Sequence, residues 1–546
     1  VKTQPISGKP RSLLWGASPI LSLILLLSGA TGLQAAGALA ATTEVRPGFI
    51  DVRSRGAVAD GSELNTILFN RLIGEISAAG GGTLWFPAGT YLTGTINLRS
   101  HVTLQLEPGA RILGSTEISD YPENPPPRPT DRLEYGRHAL IHADGQTDVA
   151  IVGQGTINGQ GSHSNFTKKD LQARGWSPRD AYLKRPYGLS FVRCQRVRVE
   201  GIRLENIAFW CQHYLDCDDV VVRGVTVESK KYDYNNDGID IDGSRNVRVN
   251  DCHFNVGDDA ICLKAAYRDC ENIIVTNCTA SSLANGVKFG TASAGGFKNI
   301  TISNIVLDGI QAAGIALEIV DGGTLDGVIL SNFTMRNVGA AIFIRLGDFA
   351  RRWVSGAPKL GIGILRNVSI SNIVAEQGSA DLRPLSSSIT GLPGYPVENI
   401  SISDVRITST RSHPREASRV DFRQVPEVPK AYPEYTMFGA LPAHGLYARH
   451  VRGLTLRNVQ FAFTGEDYRS AVVCDDVERL VIDGLQTRVL PESAPVLLFH
   501  DVRGASVVNS MLWEPTADFL QLHGASTGIE LSGNRVGGAS VPALGK

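Results

Sequence analysis

The chain has 546 residues, 58 of them glycine and only 3 methionine, with a formal net charge of -1. That balance gives no sign of a basic surface for nucleic acid, and the glycine-rich, methionine-poor composition fits a turn-rich β protein better than a helical one. Ordinary domain sizes would divide a chain of this length, but its internal repetition argues for one elongated body.

At the start, Lys2, Lys9 and Arg11 precede an apolar run over residues 13–27, and small residues follow in Ala38-Leu39-Ala40-Ala41. This is the order of a basic region, an apolar region and a cleavage site, so a signal peptide is expected over 1–41 and a single domain over 42–546. The run is short for a membrane span, although a retained anchor is the alternative reading. The mature protein is expected to be secreted or periplasmic, a monomer, with no membrane contact beyond the export signal.

Next, Leu68, Leu72, Ile73 and Ile76 recur at helical spacing and Gly80, Gly81 and Gly82 follow, which predicts one amphipathic helix. It belongs to an N-terminal cap over about 49–82, covering the open end of a solenoid that otherwise exposes backbone edges. Beyond it a short apolar phrase returns at Val149, Val197, Val220, Val247, Ile273, Ile300, Val328, Val368, Ile400, Leu454, Leu480 and Ile529. Most neighbouring copies lie about 23 to 28 residues apart, too short for a propeller blade and too strand-like for a helical repeat. One coil of a parallel β-helix is the natural unit.

Asn246, Asn272, Asn299, Asn367 and Asn399 each stand just before the apolar phrase. Asparagine tolerates left-handed turns, and stacked amides can bond along a solenoid, so these read as a structural ladder rather than as glycosylation sites. Long interruptions break the rhythm at about 159–186, which holds His163, Trp176, Tyr182 and Arg185, in RRWVSGAPK and LPGYP, and at about 408–446. Such loops on a regular scaffold are expected to wall a cleft. Of the 8 cysteines, Cys211 and Cys217 form the best local disulfide candidate, whereas Cys252 and Cys278 fit either a bridge or a stacked thiol core. No spacing suggests a zinc or iron–sulfur site.

Residues 234–265 concentrate the chemistry. Asp237, Asp240, Asp242, Asp258 and Asp259 lie in apolar, β-branched surroundings, where an isolated carboxylate is costly unless it is paired or open to a cleft. About 21 residues separate Asp237 from Asp258, close to one repeat, so the acids should stack on successive coils. Asp237, Asp258 and Asp259 are expected to converge, and Asp240 and Asp242 to be structural. Counted coil by coil, His213, Asp237, Asp258 with Asp259, Asn285, Glu318 and Arg345 form one column, at about 4.8 Å per coil, spanning a groove of several subsites. Three neighbouring acids repel one another, which raises the pKa of at least one of them.

Asn235, Asn236, Asp237 and Gly238, followed by Gly257, Asp258 and Asp259, resemble the Asn-Thr-Asp-Gly and Gly-Asp-Asp motifs of glycoside hydrolase family 28, the polygalacturonase-like pectin hydrolases. The resemblance covers most of the chain after the leader. It implies an all-β, right-handed parallel β-helix of the pectin-lyase-like kind, no cofactor and no metal. It further implies an inverting hydrolase acting on pectic polysaccharide or oligosaccharide, with Asp258 as general acid and Asp237 and Asp259 holding and activating water. Inversion would place acid and base about 6.5–9.5 Å apart. Asn235, His213, Lys264, Asn285, Lys288, Glu318 and Arg345 are the candidate substrate-binding residues, and Trp210 could stack on a sugar face.

Two departures bear on substrate. The family's Gly-His-Gly corresponds to Ala284-Asn285-Gly286, and its Arg-x-Lys, which holds a galacturonate carboxylate, corresponds to Ala316-Leu317-Glu318. An acid there should repel a uronate unless Lys288 or Arg345 compensates, which points towards an exo-acting or rhamnogalacturonan-directed hydrolase. A uronate lyase or epimerase using calcium, and a non-catalytic carbohydrate-binding solenoid, are the alternatives.

Overall fold

The repeated apolar phrase becomes the spine of the molecule. In the computed structural model Val149, Val197, Val220, Val247, Ile273, Ile300, Val328, Val368, Ile400, Leu454 and Leu480 are successive neighbours in parallel ladders. The column continues through Ala505 to Ile529. Each of these side chains from Val149 to Ala505 is buried. A slip of one residue would turn a whole strand's apolar set to solvent, so the column fixes the register of every coil. The coil at Arg503–Val508 was missing from the sequence reading because Ala505 replaces its leading branched residue.

The structure describes residues 48–126, 137–161, 165–229, 234–378, 383, 385–516 and 518–538. The expected leader and His163 lie outside them. Across these residues the strands join in one parallel ladder system that winds into a β-helix. Alternation sets the two sides of each strand: in Gln195–Glu200, Val197 and Val199 enter the core while Arg196 and Arg198 face out. Among the described residues no helix is long and apolar enough to cross a membrane.

Helix α1 (Thr66–Ala78) lies at the predicted cap and buries Phe69, Leu72, Ile73 and Ile76. Leu68 is only partly buried; Phe69 takes its place, in edge contact with Phe86 at 5.1 Å. The helix stops before Gly80 and Gly81, whose φ values are 95° and 117°. A Cβ on Gly81 would come within 2.7 Å of His101, so both the turn and the close approach demand glycine.

The asparagine ladder forms as expected. Asn272 donates its amide to Asn246 at 3.2 Å, Asn299 to Asn272 at 3.4 Å and Asn399 to Asn367 at 3.1 Å. All five have φ between 53° and 57°, the left-handed turn that asparagine accepts more readily than most residues. A second ladder runs through Asn277, Asn304, Asn332 and Asn372.

The Cys211–Cys217 disulfide is not formed, and all eight cysteines are buried free thiols. The two flank the extended strand Gln212–Leu215, whose rise of about 3.3 Å per residue holds them well beyond the roughly 7 Å a disulfide can bridge. Cys211 Sγ instead donates to the carbonyl of Asn236 on the following coil and Cys217 Sγ to that of Phe191 on the preceding one.

Candidate active site

Three successive strands build one wall. Ile239 and Ile241, then Ile261 and Leu263, then Val287 and Phe289 point into the core, which turns Asp240 and Asp242, Cys262 and Lys264, and Lys288 outward. The register separates the predicted single column into three adjacent rows. His213, Asp240, Cys262, Lys288 and Ala316 stack in one. Asp242 and Lys264 share a second, along which Glu318 pairs with Arg345 further on. Asp237, Asp259 and Asn285 occupy the turns before the strands, where Gly238 N–H donates to the Asp259 carbonyl and Ala260 N–H to that of Asn285. Counting by repeat length found the face but not the row, because adjacent outward rows differ by only two residues along each strand.

The two acidic motifs are laced across neighbouring coils. Asn235, with φ of 72°, donates its backbone N–H to Asp258 Oδ2 at 2.7 Å, and Asp259 N–H donates to Asp258 Oδ1 at 3.0 Å. Asn236 Oδ1 accepts from Gly257 N–H at 3.1 Å. Asp237, Asp258 and Asp259 converge as predicted, each with an oxygen within 4.8 Å of the others. The expected longer separation of acid and base is not found at these oxygens: Asp258 and Asp259 are consecutive residues, and Asp237 lies about one coil spacing from Asp259.

Two buried lysines compensate the acids. Lys264 Nζ lies 2.8 Å from Asp240 Oδ1 and 3.4 Å from Asp237 Oδ2. Lys288 Nζ lies 3.3 Å from Asp259 Oδ2 and 3.9 Å from Glu318 Oε2. Asn285 donates its backbone N–H and its amide to Asp259 Oδ1 at 3.2 and 2.8 Å. The three aspartate oxygens are close enough to hold a cation, but the ammonium groups already supply positive charge inside the cluster.

These surroundings push neighbouring acids apart. Burial, then the Asp259 charge, raises the Asp258 carboxyl to about 6. Burial, then Asp240 and Asp258, raises Asp237 well above the ordinary range. Burial acts on Asp259 too, but Lys288, Lys264 and the Asn285 hydrogen bonds outweigh it and hold this carboxyl below its usual value. Glu318 is lifted to about 8 by burial, against the pull of Lys288. The wall therefore offers a protonatable acid and an ionised one on consecutive residues.

The acids open into a cavity of about 110 Å³ lined also by Tyr182, Trp210, Asn235, Lys264, Lys288, Thr291, Ala292, Arg351, Trp353 and Tyr432. Small-molecule pockets usually hold about 300–1,000 Å³, so this space suits part of one sugar unit rather than the several subsites anticipated. Larger hollows of about 600 and 730 Å³ lie on outer strand faces, around Arg196 and Arg198 and around Ile274 and Ile329, away from these acids.

Asn235, Lys264 and Lys288 line the cavity as predicted, and Trp210 joins them with its ring 4.6 Å from Lys264 Nζ. Asn285 and Glu318 stand behind it, Asn285 holding Asp259 and Glu318 accepting from Thr291 Oγ1 at 3.3 Å. His213 does not reach it. That ring packs 5.0 Å behind Trp210, 3.5 Å from Asp242, and faces a separate space of about 30 Å³ with His142 and Ser190. Arg345 is also displaced, donating to the carbonyls of Glu427, Val428 and Gly391 and so clamping a loop. Asp240 and Asp242, expected to be structural, do not line the cavity: Asp240 pairs with Lys264, and Asp242 accepts from Ala266 N–H at 3.2 Å.

Sequence reading missed Thr291, Ala292, Arg351, Trp353 and Tyr432 as individuals, though Arg351, Trp353 and Tyr432 sit in the loops marked as cleft walls. Arg351 is held by Asp321 through Nε and Nη2, the latter at 2.7 Å, and Tyr432 Oη lies 3.0 Å from Thr291 Oγ1. Nothing local in the sequence ties residue 432 to residue 291; the fold does.

Residues 82–424 match the model of glycosyl hydrolases family 28, well over half of the chain. The chain is 26% identical over 373 residues to a probable polygalacturonase of Vitis vinifera, covering 64% of this chain and 72% of that protein. Among solved structures it resembles a hyperthermoactive exopolygalacturonase from Thermotoga maritima, with a TM-score of 0.54, 24% identity, and 66% and 87% of the two chains covered. It also resembles the family 28 exopolygalacturonase of Yersinia enterocolitica, with a TM-score of 0.51, 18% identity, and 91% and 80% covered. The stacked coils, the two acidic motifs on neighbouring coils and the family match agree, and the chain belongs to glycosyl hydrolase family 28.

Proposed function

We propose that this glycosidase hydrolyses pectic oligosaccharides from a chain end, with Asp258 as general acid and Asp259 and Asp237 as the groups that hold and activate water. The observation carrying the proposal is the split within one cavity between Asp258, raised to about 6, and Asp259, held low by Lys288. Asp258 gives its proton to the glycosidic oxygen as the carbon–oxygen bond breaks; water attacks the anomeric carbon and passes a proton to Asp259. Asp237 Oδ1 is buried and accepts no hydrogen bond among the described residues, which suits it to orient that water.

The small size of the cavity, with Tyr182, Trp353 and Tyr432 among its lining, supports exo action. Glu318 need not bar a uronate: burial raises its carboxyl to about 8, and Lys288 Nζ lies 3.9 Å from it, while the neighbouring Arg345 turns its guanidinium to Glu427 and Val428. The vine relative's name supports a galacturonide as the unit released. Inversion follows from the family resemblance and is tested by following the anomer of the first product by NMR. The basic and apolar start of the chain supports export.

Product analysis on a panel of pectic oligosaccharides, comparing the parent protein with Asp258→Asn, tests the whole reading. Terminal release of saturated sugar that survives chelator and disappears in Asp258→Asn is the expected result. Unsaturated products absorbing in the ultraviolet would indicate elimination instead, and internal cleavage would remove the exo assignment.

A further inference from the structure

Arg185 is fully buried in the segment that follows the short helix Pro178–Leu183. Its guanidinium lies 4.7 Å from the Phe209 ring and 5.6 Å from that of Tyr182, which lines the cavity. Nη1 donates to the Tyr234 carbonyl at 2.8 Å and to the Ala208 carbonyl at 3.3 Å, while Nη2 donates to Asn235 Oδ1 at 2.9 Å. Burying a guanidinium is costly, and its fork is spread here over the backbone and the side chain of one turn. That turn places Asn235 at φ of 72°, from which its N–H reaches Asp258 Oδ2 at 2.7 Å.

We infer that Arg185 is a positioning residue for the hydrolytic reaction: by gripping Tyr234 and Asn235 it aims the Asn235 N–H at Asp258 and ties the loop bearing Tyr182 to the acid. The inference rests on the reading of Asp258 as proton donor. Arg185 touches no reacting atom; it acts through Asn235, which bridges the arginine on one side and the carboxyl on the other. The Asn235 N–H stabilises the ionised form of Asp258, so loosening the turn raises the affinity of Asp258 for its proton.

Arg185→Met, Arg185→Lys and Asp258→Asn in the full chain, assayed on a pectic oligosaccharide, test this. Arg185→Met should lower kcat by about 10- to 100-fold, change KM by less than about 3-fold, and move the basic limb of kcat/KM up by about one pH unit. Arg185→Lys should recover part of kcat but keep part of the shift, since one ammonium cannot span both acceptors. A folded Arg185→Met with parental kcat and an unmoved basic limb would overturn the inference. If Arg185→Met does not fold, a parental profile in Arg185→Lys does the same. Activity surviving in Asp258→Asn would remove the acid assignment and the inference together, whereas a dead Asp258→Asn beside unmoved Arg185 profiles would remove only the positioning role.

Discussion

The asparagine-laddered edge and the acidic wall are built by the same device, one polar side chain per coil stacked on the next, yet they reach opposite electrostatic solutions. Along the edge, Asn246, Asn272 and Asn299 are exposed neutral amides, Asn272 donating to Asn246 and Asn299 to Asn272. On the wall, Asp240, Cys262 and Lys288 follow one another in a single row and are buried. Identical amides can repeat indefinitely because each is both donor and acceptor. Like charges at coil spacing cannot, so the wall sets Lys264 and Lys288 among the acids and leaves those acids unequal in proton affinity. A uniform ladder stabilises; an uneven one can do chemistry.

The largest expected effect falls on the wall. Asp258→Asn should lower kcat by about 10²- to 10⁴-fold with a much smaller effect on the melting temperature, because proton donation is lost together with one of the two backbone N–H bonds that the carboxyl accepts. A variant that melts early instead would make Asp258 part of the scaffold, like the ladder.

Next in size is the removal of a compensating charge. Lys264→Met leaves Asp240 and Asp237 without the ammonium 2.8 and 3.4 Å away, and denaturant unfolding should show a loss of about 3–5 kcal/mol. The double variant Lys264→Met/Asp240→Leu should recover part of it, since an apolar pair can replace a buried ion pair at little cost. No recovery would mean that Lys264 matters for packing rather than for charge balance.

A pH profile separates the two acids. Asp258 must be protonated, so activity falls about tenfold per unit as pH rises beyond its value of about 6. Asp259 must be ionised, and its value is depressed, so the acidic limb lies below the ordinary aspartate range. The optimum is therefore mildly acidic; a maximum above pH 8 would contradict the role given to Asp258.

The smallest effect belongs to the edge. Asn299→Ala forces alanine to φ of 53° and breaks one rung, which should cost about 1–2 kcal/mol without changing kcat. Asn299→Gly should cost less, because glycine accepts the turn and only the amide bond is lost. Equal losses in the two variants would show that the rung, not the backbone conformation, carries the stability.

How much of this was legible depends on the range of the interactions involved. The coil column from Val149 to Ile529, the cap helix, the asparagine turns and the meeting of Asp237 with Asp258 and Asp259 were all readable, because repeat spacing and local turn preference determine them within one or two coils. His213 and Arg345 were misplaced for a specific reason: repeat counting gives the coil, whereas the row depends on an offset of a few residues, which sets His213 beside Asp240 and Arg345 beside Glu318 rather than in the turns with Asp237. The roof was out of reach altogether. Tyr432 meets Thr291 across 141 residues, Arg345 holds Glu427 across 82, and Arg185 holds Asn235 across 50. The sequence by itself determined a coiled β scaffold with acids on one wall, since these follow from periodicity and side-chain chemistry. The size of the cavity, the lysine assigned to each acid and the raised proton affinity of Glu318 came from the tertiary structure alone, because they depend on burial by residues distant in the chain.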